Sequence, residues 1–390
     1  MRAWWSWWRQ LIADIVAAFR RARARRLGLK WLFGRVAPLQ ILPYRGFGTP
    51  DNLLLRGRVL EDKGISRQAV ATSGLRSLRD MYRRFDSDEI ANAQVRATIA
   101  DQTLETITDH EGYFAFRFNP TTALPVERDW HAIELELLAP RVPGQGAVRA
   151  TGQVLIPSAK AAFGVISDID DTVVRTGVTD LLTMARIVLL NSAQTRVPFP
   201  GVAAFYHALR AGAQGAGPNP IFYISNSPWN LYDLLDEFMD FHGLPAGPLL
   251  LQAWGRGRAR LSGATLPKRK LDRIRLVLNR YPALPFVLIG DSGERDPEIY
   301  REVVQTHPGR IKAIYIRHVH TTGRAGEIAA LANELKEQDV PLLLDDDTTA
   351  LAAHAAEHGL IDPATLDGIR AAALADDPHA TVDEHPHQRV

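Results

Sequence analysis

The stretch FGVISDIDDTVVRTG, residues 163–177, places three aspartates directly after an apolar run. Asp168, Asp170 and Asp171 fall within four positions, and Thr172 follows them. Carboxylates this close together repel one another and resist burial, so the fold must supply something that stabilises their charge. The apolar run before them is typical of a buried strand. The pattern therefore predicts a strand that ends in a cluster of acidic side chains.

The rhythm of the surrounding sequence predicts an α/β domain over residues 160–362. Short apolar runs alternate there with helical stretches, and these runs are FGVIS, IFYIS, FVLIG, KAIYI and PLLL. Such alternation is typical of βαβ units, which build a parallel sheet with helices on both faces. Because ligands of these sheets bind at the carboxyl ends of the strands, the residues directly after each run are candidates for a site.

Polar residues stand at the ends of three of these runs. They are Asp168 and Asp170 after the first run, Ser225 and Asn226 after the second, and Asp291 and Asp296 after the third, with Lys268 and Lys270 just ahead of the third. Carboxylate oxygens suit Mg²⁺, which keeps positions open for a phosphate. A bound cation also stabilises ionised aspartates. The strand ends therefore predict a magnesium site beside a phosphate-binding site.

Taken singly, these residues have simpler interpretations. Asp296 precedes Pro297 and could cap a helix, and a lysine is most often a surface charge. A calcium loop starting at Asp168 is excluded, because Val173 stands where glycine is required and Thr179 where glutamate is required. Only the ordered occurrence of these residues after successive strands favours a functional site.

The segments outside the α/β domain differ in composition. Residues 38–158 contain short alternating runs and turn signals, which predict a small β-sandwich domain, and DHEGYF is interpreted as a hairpin turn within it. Residues 363–390 are acidic and are expected to be helical at first and then to form a disordered tail.

Residues 1–35 are predicted to form a basic, Trp-rich amphipathic helix. Bulky apolar side chains recur there at helical spacing: Trp4, Trp5, Trp8, Leu11, Ile12, Ile15, Val16 and Phe19. Arginines follow at positions 20, 21, 23, 25 and 26. This combination favours a helix that lies on an anionic membrane surface. The alternative is a terminal helix that docks on the protein itself or on a second subunit.

Composition excludes several classes of function. The chain of 390 residues has no cysteine, which excludes disulfides, thiol catalysis and Cys-ligated zinc. No apolar run reaches the length of a transmembrane helix. Nucleic-acid binding is disfavoured, because the N-terminal tryptophans form a continuous apolar face and the rest of the chain is not basic. We expect a cytoplasmic protein that is peripheral on the inner membrane face, with the oligomeric state open.

The motifs DIDDT, YISNS, KRK and GDSGERD occur in this order and resemble the four motifs of the haloacid dehalogenase superfamily of phosphotransferases. The longer stretches ISDIDDTVV, ISNSPWNLY, KLDRI and LIGDSGERDPEIY resemble the Mg²⁺-dependent phosphatidate phosphatases of the yeast actin-patch-protein type. PYRGFG and GRVLED, upstream, look like the N-terminal region of bacterial relatives.

The resemblance implies a catalytic role for four residues. Asp168 would be the nucleophile that forms an aspartyl-phosphate, and Asp170 would act as general acid and then as general base. Ser225 would donate a hydrogen bond to a phosphoryl oxygen. Lys270, with Lys268 as the alternative, would neutralise the nucleophile and the transferring group.

The resemblance also implies the ligands of metal and phosphate. Mg²⁺ would be held by Asp168, the backbone carbonyl of Asp170, and Asp291, with Asp296 close by. Thr172 fills the hydroxyl position of the first motif, and Asn226 and Lys268 would contact phosphate or substrate.

Three functions are compatible with these features. The first is a Mg²⁺-dependent phosphatidate phosphatase acting at a membrane surface. The interval of about 50 residues between Thr172 and Ser225 leaves room for only a small cap, which suits a large or surface-bound substrate. The second is a soluble phosphatase for a non-lipid phosphomonoester. The third is a non-catalytic, membrane-associated binding module, which the complete motif set disfavours.

Overall fold

The computed structural model describes residues 37–62, 89–169, 199–213, 217–252, 269–318 and 323–376, and these residues form two sheets and seven α-helices. The first sheet, called the N-terminal sheet, has seven strands in the order β4-β3-β6-β7-β1-β2-β5. Its strands are β1 Leu39–Thr49, β2 Asn52–Glu61, β3 Gln94–Ile99, β4 Gln102–Ile107, β5 Tyr113–Phe118, β6 Trp130–Ala139 and β7 Arg149–Leu155.

The predicted β-sandwich is wrong, because the N-terminal sheet is a single mixed sheet that curls into a nearly closed barrel. Its pairs are antiparallel except β1 with β7, where Gly46 lies opposite Val154 in parallel register. Alternate residues of the strands, such as Leu53, Phe116 and Ile133, fill one interior core. One core inside one curved sheet replaces the two facing sheets of a sandwich.

The edge strands β4 and β5 meet where the barrel nearly closes. Between them lies DHEGYF, in which Asp109 Oδ1 accepts hydrogen bonds from the N–H groups of Glu111 and Tyr113, both at 2.9 Å. The turn is present, but the expected hairpin is not, because β4 pairs only with β3 and β5 only with β2. Across the gap, Gln102 and Asn119 exchange two hydrogen bonds of 2.7 and 2.9 Å.

The second sheet, called the parallel sheet, has six strands in the order β10-β9-β8-β11-β12-β13, all parallel. The strands are β8 Gly164–Asp168, β9 Ile221–Pro228, β10 Leu249–Gln252, β11 Phe286–Asp291, β12 Ile311–Arg317 and β13 Leu342–Asp345. The helices are α1 Val202–Ala211, α2 Tyr232–Phe241, α3 Lys270–Arg280, α4 Asp296–Thr306, α5 Ala325–Lys336, α6 Thr348–Glu357 and α7 Leu366–Asp376, with short 3₁₀ helices at Trp229–Leu231 and Pro363–Thr365.

Helices cover both faces of the parallel sheet. Successive residues of β8 point to opposite sides, so Val165 belongs to the core beneath α1, α2, α6 and α7, while Ile166 belongs to the core beneath α3, α4 and α5. Strands covered on both faces are apolar throughout, which explains the unbroken runs in the sequence.

The two sheets share their cores. Tyr44 of β1 belongs to the first core of the parallel sheet, and Phe47 and Leu54 belong to the second. Phe47 meets Phe222 of β9 edge to face, with ring centroids 5.9 Å apart. The N-terminal sheet is therefore packed against the helices and strands that carry the predicted site.

Two terminal predictions fall partly or wholly outside the described residues. The fold begins with a β region, and the predicted N-terminal helix of residues 1–35 lies outside the residues that the structure describes. At the other end, residues 363–376 of the expected tail are helical and packed, since Ile369 is buried and Asp376 accepts a hydrogen bond from Gly201 N. No described helix is long and apolar enough to span a bilayer.

Candidate active site

Three aspartates meet at the carboxyl end of the parallel sheet. Asp168 is the last residue of β8, Asp291 the last of β11, and Asp296 the first of α4. Each offers a carboxylate oxygen within 4.8 Å of the other two, and all three are buried. Because β8 and β11 are parallel neighbours, their chain ends meet at one edge, as the motif order predicts.

The loop between β11 and α4 is wrapped around its own aspartates. Asp291 Oδ1 accepts hydrogen bonds from Gly293 N at 2.6 Å and from Glu294 N at 2.8 Å. Asp296 Oδ2 accepts one from Asp291 N at 3.2 Å. Gly290 leaves space for Asp296, since a Cβ built on it would lie 2.8 Å from Asp296 Cβ and 2.9 Å from Asp296 Cγ. The loop backbone therefore fixes both carboxylates.

Lys270 joins the aspartates from the first position of α3. Its Nζ lies 2.7 Å from Asp168 Oδ1, contacts Asp296 Oδ1, and is 3.4 Å from Glu294 Oε2. Burial alone lowers the pKa of the lysine, but the carboxylates of Asp168 and Asp296 outweigh it and raise that pKa well above its ordinary value. Lys270 is therefore a charged lysine in contact with the predicted nucleophile. This contact supports Lys270 as the lysine that would neutralise the nucleophile, a role for which Lys268 was the alternative.

The cluster holds more negative charge than Lys270 balances. Burial, and then the neighbouring Asp296, raise the pKa of Asp291 to about 8, although Lys270 opposes this shift. Burial also raises the pKa of Asp296. A carboxyl group that prefers to be neutral at pH 7, as Asp291 does in the metal-free protein, shows that the site is short of positive charge.

This shortage fits a hard divalent cation. Asp291 Oδ2 is buried and has no hydrogen-bond partner among the described residues. The available donors are all carboxylate oxygens, which is the ligand chemistry that Mg²⁺ prefers. The donor set and the unpartnered oxygen therefore fit the predicted metal.

Ser225 and Asn226 lie within the C-terminal half of β9, which pairs with β8. Ser225 Oγ accepts a hydrogen bond from Ser227 N at 2.9 Å. Asn226 bridges two charged groups, because its Oδ1 accepts from Arg273 Nη2 at 2.9 Å and its Nδ2 donates to Glu294 Oε2 at 3.1 Å. Asn226 is therefore held in place by a network that also reaches Lys270 through Glu294.

Three residues of this network are absent from the predicted set. Arg273 is fully buried and follows Lys270 by one helical turn, so the motif KLDRI contained a signal for it. Glu294 lies within the quoted motif GDSGERD. Arg324 donates to the carbonyls of Ser292, at 3.2 Å, and Glu294, at 2.7 Å, which fixes the loop after β11 from a helix start 30 residues away. No local pattern marks Arg324.

Asp170, Thr172 and Lys268 lie outside the described residues, so their predicted roles stay predictions. Arg317 is the last residue of β12, at the same edge of the parallel sheet, and its side chain contacts other residues of the fold. Its guanidinium donates to the Asp346 carbonyl and Thr348 Oγ1, and it lies 3.9 Å from the Phe199 ring centroid.

The motif PYRGFG lies against the chain that follows Ser225. Tyr44 stacks on Trp229 and Tyr232, with centroid distances of 5.2 and 4.0 Å. Arg45 N donates to Tyr232 Oη at 2.7 Å, and the Arg45 guanidinium pairs with Asp236 at 2.8 Å. The N-terminal sheet therefore holds the segment directly behind the predicted phosphate-binding residues.

Comparison with known proteins supports the resemblance that the motifs indicated. Residues 163–318 match the family model described as phosphatidate phosphatase APP1, catalytic domain. Over 156 residues the chain is 37% identical to phosphatidate phosphatase APP1 of Saccharomyces cerevisiae. The aligned segment covers 40% of this chain and 26% of the yeast protein. Over 159 residues it is 29% identical to an uncharacterised protein of Schizosaccharomyces pombe, covering 40% of this chain and 25% of that one.

The predicted resemblance to phosphatidate phosphatases of the actin-patch-protein type is confirmed over this segment, and its match to the model of a phosphatase catalytic domain supports the prediction of an enzyme. The chain spans about a quarter of the length of these curated relatives. A carbohydrate acetylesterase from Xanthomonas citri is similar to 84% of this chain, over 71% of its own, at 12% identity, but its TM-score of 0.25 supports no shared fold.

Proposed function

We propose that this protein is a Mg²⁺-dependent phosphatidate phosphatase that hydrolyses a lipid phosphomonoester through an aspartyl-phosphate. The observation that carries the proposal is the position of Asp168. It is buried at the end of β8, in contact with a charged Lys270, within the segment that matches a phosphatidate phosphatase catalytic domain. A carboxylate so placed is an activated nucleophile whose charge is held by a fixed partner.

In the first step, an Asp168 oxygen attacks phosphorus. A bond forms between that oxygen and phosphorus, and the bond between phosphorus and the glycerol oxygen breaks. Asp170, two residues further along, gives its proton to the leaving alkoxide, so diacylglycerol departs neutral.

In the second step, water attacks the phosphorus of the aspartyl-phosphate. Asp170 takes the proton of that water, the bond between Asp168 and phosphorus breaks, and inorganic phosphate leaves. Lys270 holds positive charge beside Asp168 in both steps, and the Ser225 hydroxyl donates to a phosphoryl oxygen.

Asp168, Asp291 and Asp296 are the described residues that would hold the metal, together with the backbone carbonyl of Asp170. The bound cation supplies charge neutralisation for the approach of the anionic phosphate to the carboxylate nucleophile.

Residues 1–35 would bring the enzyme to its substrate. Their tryptophans and arginines are the side chains that bind the interface of an anionic membrane. The protein would then be cytoplasmic and peripheral on the inner membrane face, where phosphatidate is presented.

The test is phosphate release from phosphatidate in Triton mixed micelles, with Mg²⁺ or with EDTA. We expect turnover that requires Mg²⁺ and is lost in Asp168→Asn and in Asp170→Asn. Asp367→Asn, an exposed carboxylate on α7, is the matched control and should retain wild-type turnover. If the wild type releases no phosphate from phosphatidate, the proposed substrate is wrong.

The same variants on p-nitrophenyl phosphate separate substrate from mechanism. Turnover of p-nitrophenyl phosphate that needs both aspartates, without turnover of phosphatidate, would retain the aspartyl-phosphate mechanism for a soluble substrate. A chain lacking residues 1–35 should lose turnover on anionic vesicles and keep turnover of p-nitrophenyl phosphate. Equal activity on vesicles with and without that segment would refute its membrane role.

A further inference from the structure

A cleft lies between the N-terminal sheet and the α/β domain, and none of the three clustered aspartates lines it. Arg56 of β2 and Trp229, at the start of the 3₁₀ helix after β9, both line it. Its remaining walls are mainly apolar and include Phe47 and Leu250. We call this space the Arg56–Trp229 cleft.

The cleft contains hydrogen-bond donors without acceptors. Arg56 is partly buried as a residue, but its Nε and Nη1 atoms are closed off from solvent and have no hydrogen-bond partner among the described residues. Trp229 is 9% exposed, and its Nε1 likewise has none. The guanidinium carbon of Arg56 lies 5.9 Å from the Trp229 ring centroid, so the two side chains are neighbours. Buried polar groups almost always have partners, and these therefore require an explanation.

Neighbouring arginines on the same sheet show what Arg56 lacks. Arg45 pairs with Asp236 at 2.8 Å, and Arg58 pairs with Glu89 at 2.9 Å. No described carboxylate lies in salt-bridge contact with Arg56, and the charged residue that acts on it is Arg117 of β5. Burial, and then Arg117, lower the pKa of Arg56 to about 10, which still leaves it charged at pH 7.

A water molecule could satisfy the free N–H groups but not the charge. A buried cation without a counter-charge destabilises a fold, whereas an anion beside it offsets that destabilisation. Oxyanions such as phosphate accept hydrogen bonds from several donors at once and suit the planar guanidinium. Guanidinium and indole donors together therefore favour an oxyanion over a neutral ligand.

We propose that the Arg56–Trp229 cleft binds an oxyanion of the phosphate type, at a site separate from the aspartate cluster. The ligand would accept hydrogen bonds from Arg56 of the N-terminal sheet and from Trp229 of the α/β domain, and would so link the two. Trp229 follows Ser225 by four residues, so occupancy also stabilises the chain behind the predicted phosphate-binding residues. The oxyanion can come from free phosphate or from the headgroup of an anionic lipid.

The first experiment measures the thermal stability of the full chain in EDTA, at constant ionic strength, with increasing inorganic phosphate. Without metal, the aspartate cluster repels phosphate, so the response reports the cleft. We expect Tm to rise by about 2 °C at ten times Kd. Arg56→Met should lose this rise and have a higher Tm than the wild type in phosphate-free buffer. Arg149→Met, an exposed arginine on β7, is the matched control and should keep the wild-type response.

The second experiment identifies the source and does not depend on Arg56→Met folding. The indole ¹H–¹⁵N resonance of Trp229, assigned from its loss in Trp229→Phe, is followed with inorganic phosphate and with dihexanoylphosphatidylglycerol below its critical micelle concentration. A shift with phosphate indicates a free oxyanion, and a shift with the lipid alone indicates a headgroup.

The proposal is overturned if neither probe shifts the Trp229 resonance, or if Arg56→Met keeps the phosphate response. In either case the donors are satisfied by water alone. Because both experiments are run without Mg²⁺ and without turnover, they succeed or fail independently of the proposed phosphatase activity.

Discussion

Replacing Lys270 by methionine should destabilise the protein by an amount that depends on pH. Methionine fills most of the volume of lysine but lacks its charge. In the metal-free protein the lysine lies 2.7 Å from Asp168 and also contacts Asp296, and all three side chains are buried. Lys270→Met therefore leaves two buried carboxylates side by side, and one of them must take up a proton.

The free energy needed to protonate that aspartate sets how much stability Lys270→Met loses. The ordinary pKa of an aspartate is 3.8, so holding one protonated at pH 7 costs about 4 kcal/mol, at about 1.4 kcal/mol per pH unit. At pH 5 the same cost is only about 2 kcal/mol. The larger value agrees with the roughly 3–5 kcal/mol lost when a buried ion pair loses one partner. Turnover with Mg²⁺ should fall at least about 100-fold, since the charge beside the nucleophile is gone.

The assay is urea unfolding of the full chain in EDTA at pH 7 and at pH 5, followed by circular dichroism. Lys312→Met, an exposed lysine on β12 of the same sheet, controls for the substitution itself. A loss of stability at pH 5 as large as at pH 7 would refute the electrostatic reasoning, because lost packing does not depend on pH.

Three further perturbations test other parts of the structure. Gly290→Ala should abolish phosphate release and lower Tm, because its Cβ displaces Asp296, whereas Gly326→Ala, in open space on α5, should do neither. The pKa of Asp291, raised to about 8, means that the metal-free chain takes up a proton on folding. Its free energy of unfolding in EDTA should therefore fall as the pH rises from about 4 to about 8, as urea titrations at several pH values can measure. A free energy of unfolding that does not change over this range would show that the pKa of Asp291 is not raised. Mg²⁺ should accordingly raise Tm more at pH 8 than at pH 6, as calorimetry can measure. Tyr232→Phe removes the hydroxyl that accepts from a backbone N–H of β1 and should cost about 1–2 kcal/mol in urea unfolding, an unchanged midpoint being the contrary result.

Local sequence patterns predicted the parallel sheet and the residues at its edge. Unbroken apolar runs identify strands that are covered on both faces, and the chemistry after each run lies at one edge by topology alone. This is why Asp168, Asp291 and Asp296 meet in the structure as the order of their motifs predicts. The spacing of Lys270 from Arg273 is likewise a local signal, because residues three apart on a helix share a face.

Contacts between distant parts of the chain could not be predicted in this way. The N-terminal sheet is one continuous sheet because β1 pairs with β7, which brings together residues more than 100 positions apart, such as Gly46 and Val154. Alternating strands are compatible with a sandwich or with a barrel, since both bury one face of each strand. The contribution of Arg324 could not be predicted for the same reason, because the carbonyls to which it donates lie about 30 residues earlier in the chain.

Stability and the proposed activity make opposite demands on the same aspartates. In the metal-free protein, burial makes the ionised form of Asp291 unfavourable, and a neutral side chain there would suit the fold better. Hydrolysis by the proposed route needs that carboxylate ionised, because a protonated acid is a poor ligand for a hard cation. The loop after β11 reconciles the two demands by donating two backbone N–H groups to Asp291 Oδ1 while leaving Oδ2 without a partner among the described residues. One oxygen thus fixes the side chain in the fold and the other stays available for the cation, which would favour the ionised form where the proposed chemistry requires it.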